Sequence, residues 1–328
     1  MHLPDSSSNP RRSPRMTPHE AANADPIDHE GEGRRVATVD VGTNSIRLLV
    51  AVAYPDGTYR LLDDEKVVVR LGRGMARSGK LEESAMHEAV QVLTRMKAIA
   101  QGYDVELLRA VATCAVRESA NRGVFLEMVR EKADIELEVI DGEEEARFAF
   151  LSVRNAFDIS ERDVAVVDIG GGSTEILLSA GGMVGQIVSL PLGAVRLTEA
   201  FAKDGEIATD QLRKMRKRIR RSLRDALEHR AVTPDLMIGT GGTFTTLAAM
   251  RSLANAKAPG SADPGAAGIR GYSVQRAEVR RTMEQLAAQT AAQRAAVPGL
   301  SPDRADIIVA GLAIADTVMK TLEINELQ

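Results

Sequence analysis

VATVDVGTNSIRLLV, residues 36–50, returns in altered form as VAVVDIGGGSTEILL at residues 164–178. Val36, Ala37, Val39, Asp40, Gly42, Ser45 and Leu49 fall on Val164, Ala165, Val167, Asp168, Gly170, Ser173 and Leu177. Each copy is a β-branched run ending in Asp-x-Gly, a short turn carrying hydroxyls, and a second apolar run, which is the chemistry of a β-hairpin. A unit that recurs within one chain marks a repeated supersecondary structure and governs the architecture. The repeat therefore predicts two related α/β lobes, each opened by a hairpin.

The chain outside the repeat is long enough for this. Its 328 residues, 44% hydrophobic, can fill two medium cores. The first 35 residues are rich in Pro, Ser, acids and Arg, cannot repay their ordering entropy by burial, and are predicted to be a disordered tail. Arg11, Arg12 and Arg15 are followed by no apolar core of a signal peptide, so a cytoplasmic location is expected. No apolar run approaches the length of a membrane span. A formal net charge of −4 gives no general attraction to nucleic acid or to an anionic membrane, so an anionic ligand must be held by local donors. The single cysteine, Cys114, excludes an intrachain disulfide framework.

Strands are predicted at residues 36–41, 46–53, 66–71, 108–113, 136–140, 164–179 (a hairpin), 186–189 and 236–238. Helices are predicted at 84–100, 124–132, 141–156, 212–226, 243–253, 274–288 and 305–321, and a Gly/Pro/Ala/Ser-rich surface loop at 254–271. Asp141 with Glu144 reads as a capping box.

An Asp at a strand end beside a glycine turn has two readings. The turn can be ordinary, or its amides can form an anion nest while the Asp holds a hydrated Mg²⁺ bridging to phosphate. Two copies facing each other favour the second reading. Gly239-Thr240-Gly241-Gly242-Thr243 before a helix is a third anion candidate, and a simple tight turn is its alternative. Glu143, Glu144 and Glu145 complement a helix dipole, and one of them could also orient and deprotonate a water for attack on a phosphoryl group. Glu175 stands where the first repeat has Arg47, as a cross-strand charge or a site acid. Arg117 is a loop arginine or a phosphate fork. Eight cations between Arg213 and Arg224 crowd one helix, either a solvated face or a track for an extended polyanion.

Several look-alikes fail on chemistry. The P-loop-like run Gly74 to Lys80 is followed by Leu81, where a Ser or Thr must reach the metal. Gly72-x-Gly74 has Arg77 in place of the last glycine of a dinucleotide fingerprint. Cys114 has Ala120 where a Cys-x5-Arg phosphatase needs arginine. His2, His19, His29, His87 and His229 are too scattered for a histidine metal cluster.

The Asp-x-Gly hairpins, the Gly-Thr-Gly-Gly-Thr turn and the late Ala-Gly-Leu-Ala helix together resemble the sugar kinase, Hsp70 and actin superfamily. Within it, Asp168-Ile-Gly-Gly-Gly-Ser-Thr-Glu175, Ala115-Val-Arg117-x3-Asn121, Gly142-x2-Glu145-Ala146-Arg147, Leu190-Pro-Leu-Gly-Ala-Val-Arg196-Leu and Pro298-Gly-Leu-Ser-x2-Arg304-Ala-Asp-Ile are similar to the exopolyphosphatase and guanosine pentaphosphate phosphohydrolase family. The resemblance runs from Arg35 to Gln328. It implies two actin-like (ribonuclease H-like) α/β domains, at 36–148 and 149–328, with mixed sheets flanked by helices and an interdomain cleft. It further implies Mg²⁺- or Mn²⁺-dependent hydrolysis of a terminal phosphoanhydride of inorganic polyphosphate, guanosine pentaphosphate or both, by a homodimer. Glu145 matches the catalytic base, Asp168 and Glu175 further acidic residues of the site, and Asp40 and Asp168 the metal side. Thr43, Asn44 and Ser45 match the first phosphate loop. Arg117, Gly170, Gly171, Gly172, Ser173, Gly241, Gly242, Thr243 and Arg304 fall on the substrate-binding side.

There are departures. Against the family pattern, the C-terminal helical domain of longer relatives is expected to be absent, and the last piece of the second lobe, where short relatives continue, is expected to be missing. Asp141 replaces a common Ser. Two other functions remain open: a kinase or ATPase of the same superfamily, which needs an acceptor, and a non-catalytic sensor of an alarmone or polyphosphate.

Overall fold

The computed structural model describes residues 33–203, 205–230, 232–256 and 269–328. Residues 1–32 of the predicted tail and most of the predicted 254–271 loop lie outside the described residues, while Arg34 and Arg35, placed in the tail by the sequence, already belong to the first strand and pair with the second. The first repeat forms β1 (Arg34–Val41) and β2 (Ser45–Ala53), antiparallel, with Asp40 opposite Arg47. β3 (Tyr59–Val68) follows, then α1 (Met75–Ser78), α2 (Glu83–Gly102), β4 (Leu107–Ala112), α3 (Cys114–Glu118), α4 (Arg122–Ala133) and β5 (Leu137–Val139). The five strands order as β3-β2-β1-β4-β5, with β4 and β5 parallel to β1. Strict alternation along β2 sends Ile46, Leu48, Val50 and Val52 into the core, where α2 adds Ala89, Leu93 and Met96.

The chain then enters α5 (Gly142–Ala156) and the second repeat, β6 (Val164–Ile169) and β7 (Thr174–Ala180), with Asp168 opposite Glu175. β8 (Met183–Leu190), α6 (Ala194–Phe201), α7 (Thr209–Leu227), β9 (Leu236–Thr240), α8 (Gly242–Ala256), β10 (Val274–Gln275), α9 (Arg276–Ala287), α10 (Ala291–Ala295), α11 (Ile308–Leu322) and β11 (Glu326–Leu327) complete it. This sheet orders as β10-β11-β9-β6-β7-β8. Its β8-β7-β6-β9-β11 portion repeats the first sheet, and the two-residue β11 takes the place that β5 holds there. α11 is apolar on nearly every face, which forces it inside. It lies between α7 and α9, with Val309, Leu312, Val318 and Met319 fully buried.

Several elements differ from the sequence reading. β3 begins seven residues before the predicted 66, because it is an edge strand whose polar residues face solvent and conceal the alternation. The predicted capping box at Asp141 is half formed: its side chain accepts from the Glu144 amide, while the Glu144 carboxylate turns toward Arg109. The helix predicted at 274 starts after a short strand, with Gln275 supplying the capping box. α5 packs whole against β6, β7 and β8, so a boundary at 148/149 would cut through it.

Candidate active site

Both repeat turns close in the same way: the Gly42 amide donates to the Ser45 carbonyl (3.1 Å) and the Gly170 amide to that of Ser173 (3.0 Å). The first turn is fixed from β3's end, where the amides of Val69 and Arg70 donate to the Asn44 carbonyl and that of Gly72 to Thr43. Thr43 and Asn44 are buried, and both polar atoms of the Asn44 side chain lack a protein partner. A buried amide left unpaired is costly, so a ligand or water at this turn would be favoured. Ser45 opens β2 beside them.

The second turn is held by α6. Its first amides, Ala194, Val195 and Arg196, donate to the carbonyls of Gly170 and Gly171, and the Arg196 guanidinium donates to that of Gly172 (2.8 Å). Gly193 makes this possible, since a β-carbon there would fall inside the Gly171 carbonyl. Gly193→Ala is therefore expected to displace the turn. Activity should fall at least tenfold and thermal stability should drop by about 1–3 kcal/mol, the usual penalty of overpacking; assay and melting curve together check it. Gly171 and Gly172 back onto Thr43 and Cys114, so the two turns meet across the lobes.

The acidic side chains gather beside these turns. α5 begins against β7 and β8 because Gly142 has no side chain to strike Ser189, and Glu145 on its first turn then reaches the cleft. Arg117 donates to the Ile140 carbonyl (2.9 Å) and to Glu145 (3.2 Å), fixing the direction of that carboxylate. Glu175 is 1% exposed; one oxygen accepts from Ser189 (2.8 Å) and the other is buried without a partner. Burial raises the pKa of both Glu145 and Glu175, neighbouring carboxylates raise it further, and Arg117 pulls both back. Asp168 is pushed up to about 6 by burial, with the Thr240 hydroxyl opposing. Asp40 opens to solvent at the cleft but is ringed by protein; that enclosure, then Asp168, push it up to about 6 against Arg47 and Lys66.

Crowded carboxylates that resist ionisation are the electrostatic setting that a divalent cation relieves. Among the described residues no three His, Cys, Asp or Glu side chains form a metal cage. Mg²⁺ characteristically takes only one or two carboxylates and completes its shell with water and phosphate, so Asp40 and Asp168 fit it.

Arg304 ends a short 3-10 turn (Pro302–Arg304), and its guanidinium lies over Gly242 at the start of α8. With Lys66 it lines a cavity of about 280 Å³ that also takes in Val68, Ala249, Ile269 and Ser301. Gly241 adopts a positive φ of 85° beside the Asp168 carboxylate. Thr243 is buried against Gly311 and secures α8 to α11 instead of lining the cavity. The lobes are tied across the cleft by Arg70 to Asp306 (2.7 Å), Glu199 to the Gly74 amide (2.8 Å) and Arg196 to Glu118 (2.5 Å).

Ser189, Gly193, Arg196 and Lys66 had no assigned part in the sequence reading. The run from Leu190 to Leu197 was legible as a motif, but its work of gripping the second turn shows only in three dimensions.

Two mixed sheets with paired hairpin turns, and carboxylates in the cleft between them, define an actin-like α/β fold of the phosphate-handling kind. Residues 50–328 match the Ppx/GppA phosphatase family, and the chain belongs to it. It is 34% identical over 299 residues to exopolyphosphatase 1 of Mycobacterium leprae, covering 89% of this chain and 84% of that protein. It also superposes on the Aquifex aeolicus Ppx/GppA family member with a TM-score of 0.71 at 31% identity, covering 90% of this chain and 93% of that one. An exopolyphosphatase from Cytophaga hutchinsonii gives a TM-score of 0.79 at 28% identity, with the same coverages. Among the described residues no helix is long and apolar enough to cross a membrane.

Proposed function

We propose that this protein is an exopolyphosphatase that removes the terminal phosphate of inorganic polyphosphate by attack of water. The observation that carries the reading is the Glu145 carboxylate, raised in pKa and aimed by Arg117, beside two facing glycine turns. The water oxygen attacks the terminal phosphorus, the bridging P–O bond breaks, and the shortened chain leaves with the bonding pair. Glu145 accepts the water's proton, a role suited to a base whose pKa lies near the working pH. Turn amides, Arg117 and Arg304 neutralise the phosphate oxygens, because phosphoryl transfer needs positioning and charge more than covalent help. Asp40 and Asp168 would hold Mg²⁺ or Mn²⁺, which supplies charge neutralisation when bound.

Guanosine pentaphosphate is a second substrate reading. It is favoured by the cavity beside Arg304, whose Val68, Ala249 and Ile269 offer an apolar wall to a base. Phosphate release from long polyphosphate, guanosine pentaphosphate and ATP, each with Mg²⁺, tests the whole. Turnover of the first or second with ATP nearly inert supports a phosphoanhydride hydrolase. ATP turnover that requires an added acceptor would make the protein a kinase, and binding without turnover would make it a sensor.

A further inference from the structure

α7 carries eight cations and two acids in a chain whose net charge is −4. Met215, Ile219, Leu223 and Leu227 turn inward. Arg213, Lys217, Arg220 and Arg224, spaced four, three and four residues apart, share one exposed stripe. Among the described residues Arg213, Lys217 and Arg220 make no ion pair, and Arg224 comes only within 4.0 Å of Asp225.

Beside that stripe, Arg216 of α7 and Arg276 of α9 converge on Asp316 of α11, which is fully buried. One carboxylate thus ties the two outer helices to the helix between them. It also brings Arg216 of α7 and Arg276 of α9 together, and Arg276 in turn lines a groove of about 330 Å³ on α9 with Ala277, Arg280, Arg281, Glu284 and Asn325. Glu284 is paired with Arg280 (2.9 Å), Asp316 is shielded beneath its two arginines, and the exposed Asp210 and Asp225 of α7 lie beside Lys214 and Arg221, so cations outnumber acids across the surface.

We propose that this α7–α9 surface is a second binding site, remote from the cleft turns, for the distal part of a long inorganic polyphosphate chain. Like charge held in a stripe is kept apart only at an electrostatic cost, which a continuous polyanion relieves. Neither helix contains an aromatic residue, so the surface offers no platform for stacking bases, as single-stranded nucleic acid readers do. A polyanion without bases is the better complement. The site rests on the polyphosphate reading: a chain anchored here has its free end returned to the cleft at raised local concentration.

The test replaces Arg213, Lys217, Arg220 and Arg224 together with Gln, leaving Arg216 and Arg276 on Asp316. Hydrolysis of tripolyphosphate, too short to reach both places, should keep its kcat and KM. For chains of hundreds of phosphates KM should rise at least tenfold at unchanged kcat. Equilibrium binding of such chains, measured in the Glu145→Gln background, should weaken in parallel and lose steepness in its salt dependence. An unchanged KM and affinity for long chains would overturn the site, as would an equal KM rise for tripolyphosphate. Tighter stripe-dependent binding of RNA or duplex DNA than of polyphosphate would also overturn it, making this a nucleic-acid surface. If the native chain releases no phosphate yet still binds long polyphosphate through the stripe, the catalytic reading falls and the surface stands.

Discussion

Glu145→Gln is expected to lower phosphate release by about a thousandfold, within the range that a positioned general base contributes, with KM nearly unchanged. Gln keeps the side-chain length and an oxygen for Arg117, so the first turn of α5 should remain in place. What disappears is the proton acceptor. The pH profile separates this role from a structural one. Because burial and the neighbouring Glu175 and Asp168 carboxylates raise the pKa of Glu145, native activity should climb as pH rises through the range where it ionises. The Gln variant should lose that limb altogether. A variant that kept both its activity and the native pH limb would remove Glu145 as the base. Melting should not suffer, since a carboxyl held above its ordinary pKa destabilises the fold when it ionises.

The sequence made the duplicated hairpin legible because both copies must meet the same backbone demand: a strand-end Asp and a turn without bulky side chains. The one charged position at which the copies differ illustrates what a linear reading leaves open. Arg47 and Glu175 occupy equivalent places; Arg47 is half-exposed and bound by Asp64 in two hydrogen bonds (2.8 and 2.6 Å), whereas Glu175 is buried with one oxygen unpaired. Burial, which separates a surface ion pair from a site acid, is a tertiary property. The same holds for Gly142 and Gly193, whose importance lies in what touches them, and for Thr243, whose place in a glycine-rich turn suggested phosphate but whose neighbour is Gly311. Glu145 was legible as one of three acids on a first turn. The family resemblance, not the spacing, picks it out from Glu143 and Glu144, and the structure adds its contact with Arg117, 28 residues earlier in the chain.

Asp168→Asn is expected to do two opposite things, and the pair is more telling than either. Asp168 sits at the end of β6 against Gly241, where burial raises its pKa from 3.8 to about 6. A raised acid pKa means that the folded state holds the proton more tightly than the unfolded chain. The stabilisation is therefore full below the unfolded pKa and is lost as pH climbs from about 4 to about 6, leaving the ionised carboxylate as a burden above that. The difference corresponds to at most about 3 kcal/mol at neutral pH. Asn carries no charge, so without divalent cation the variant should melt higher than the native protein at pH 7.5, and the advantage should vanish near pH 4. Activity should nonetheless fall at least a thousandfold, and the rise in melting temperature that Mg²⁺ gives the native protein should largely disappear, because a neutral amide oxygen holds Mg²⁺ far more weakly than a charged carboxylate. A variant that melted lower at pH 7.5 without metal would show that Asp168 serves the fold. One that kept the Mg²⁺ response would move the cation elsewhere in the cleft. Gain of stability with loss of metal response is what a strand-end carboxylate retained for phosphate chemistry should give, since its charge is a liability until a cation and a substrate arrive.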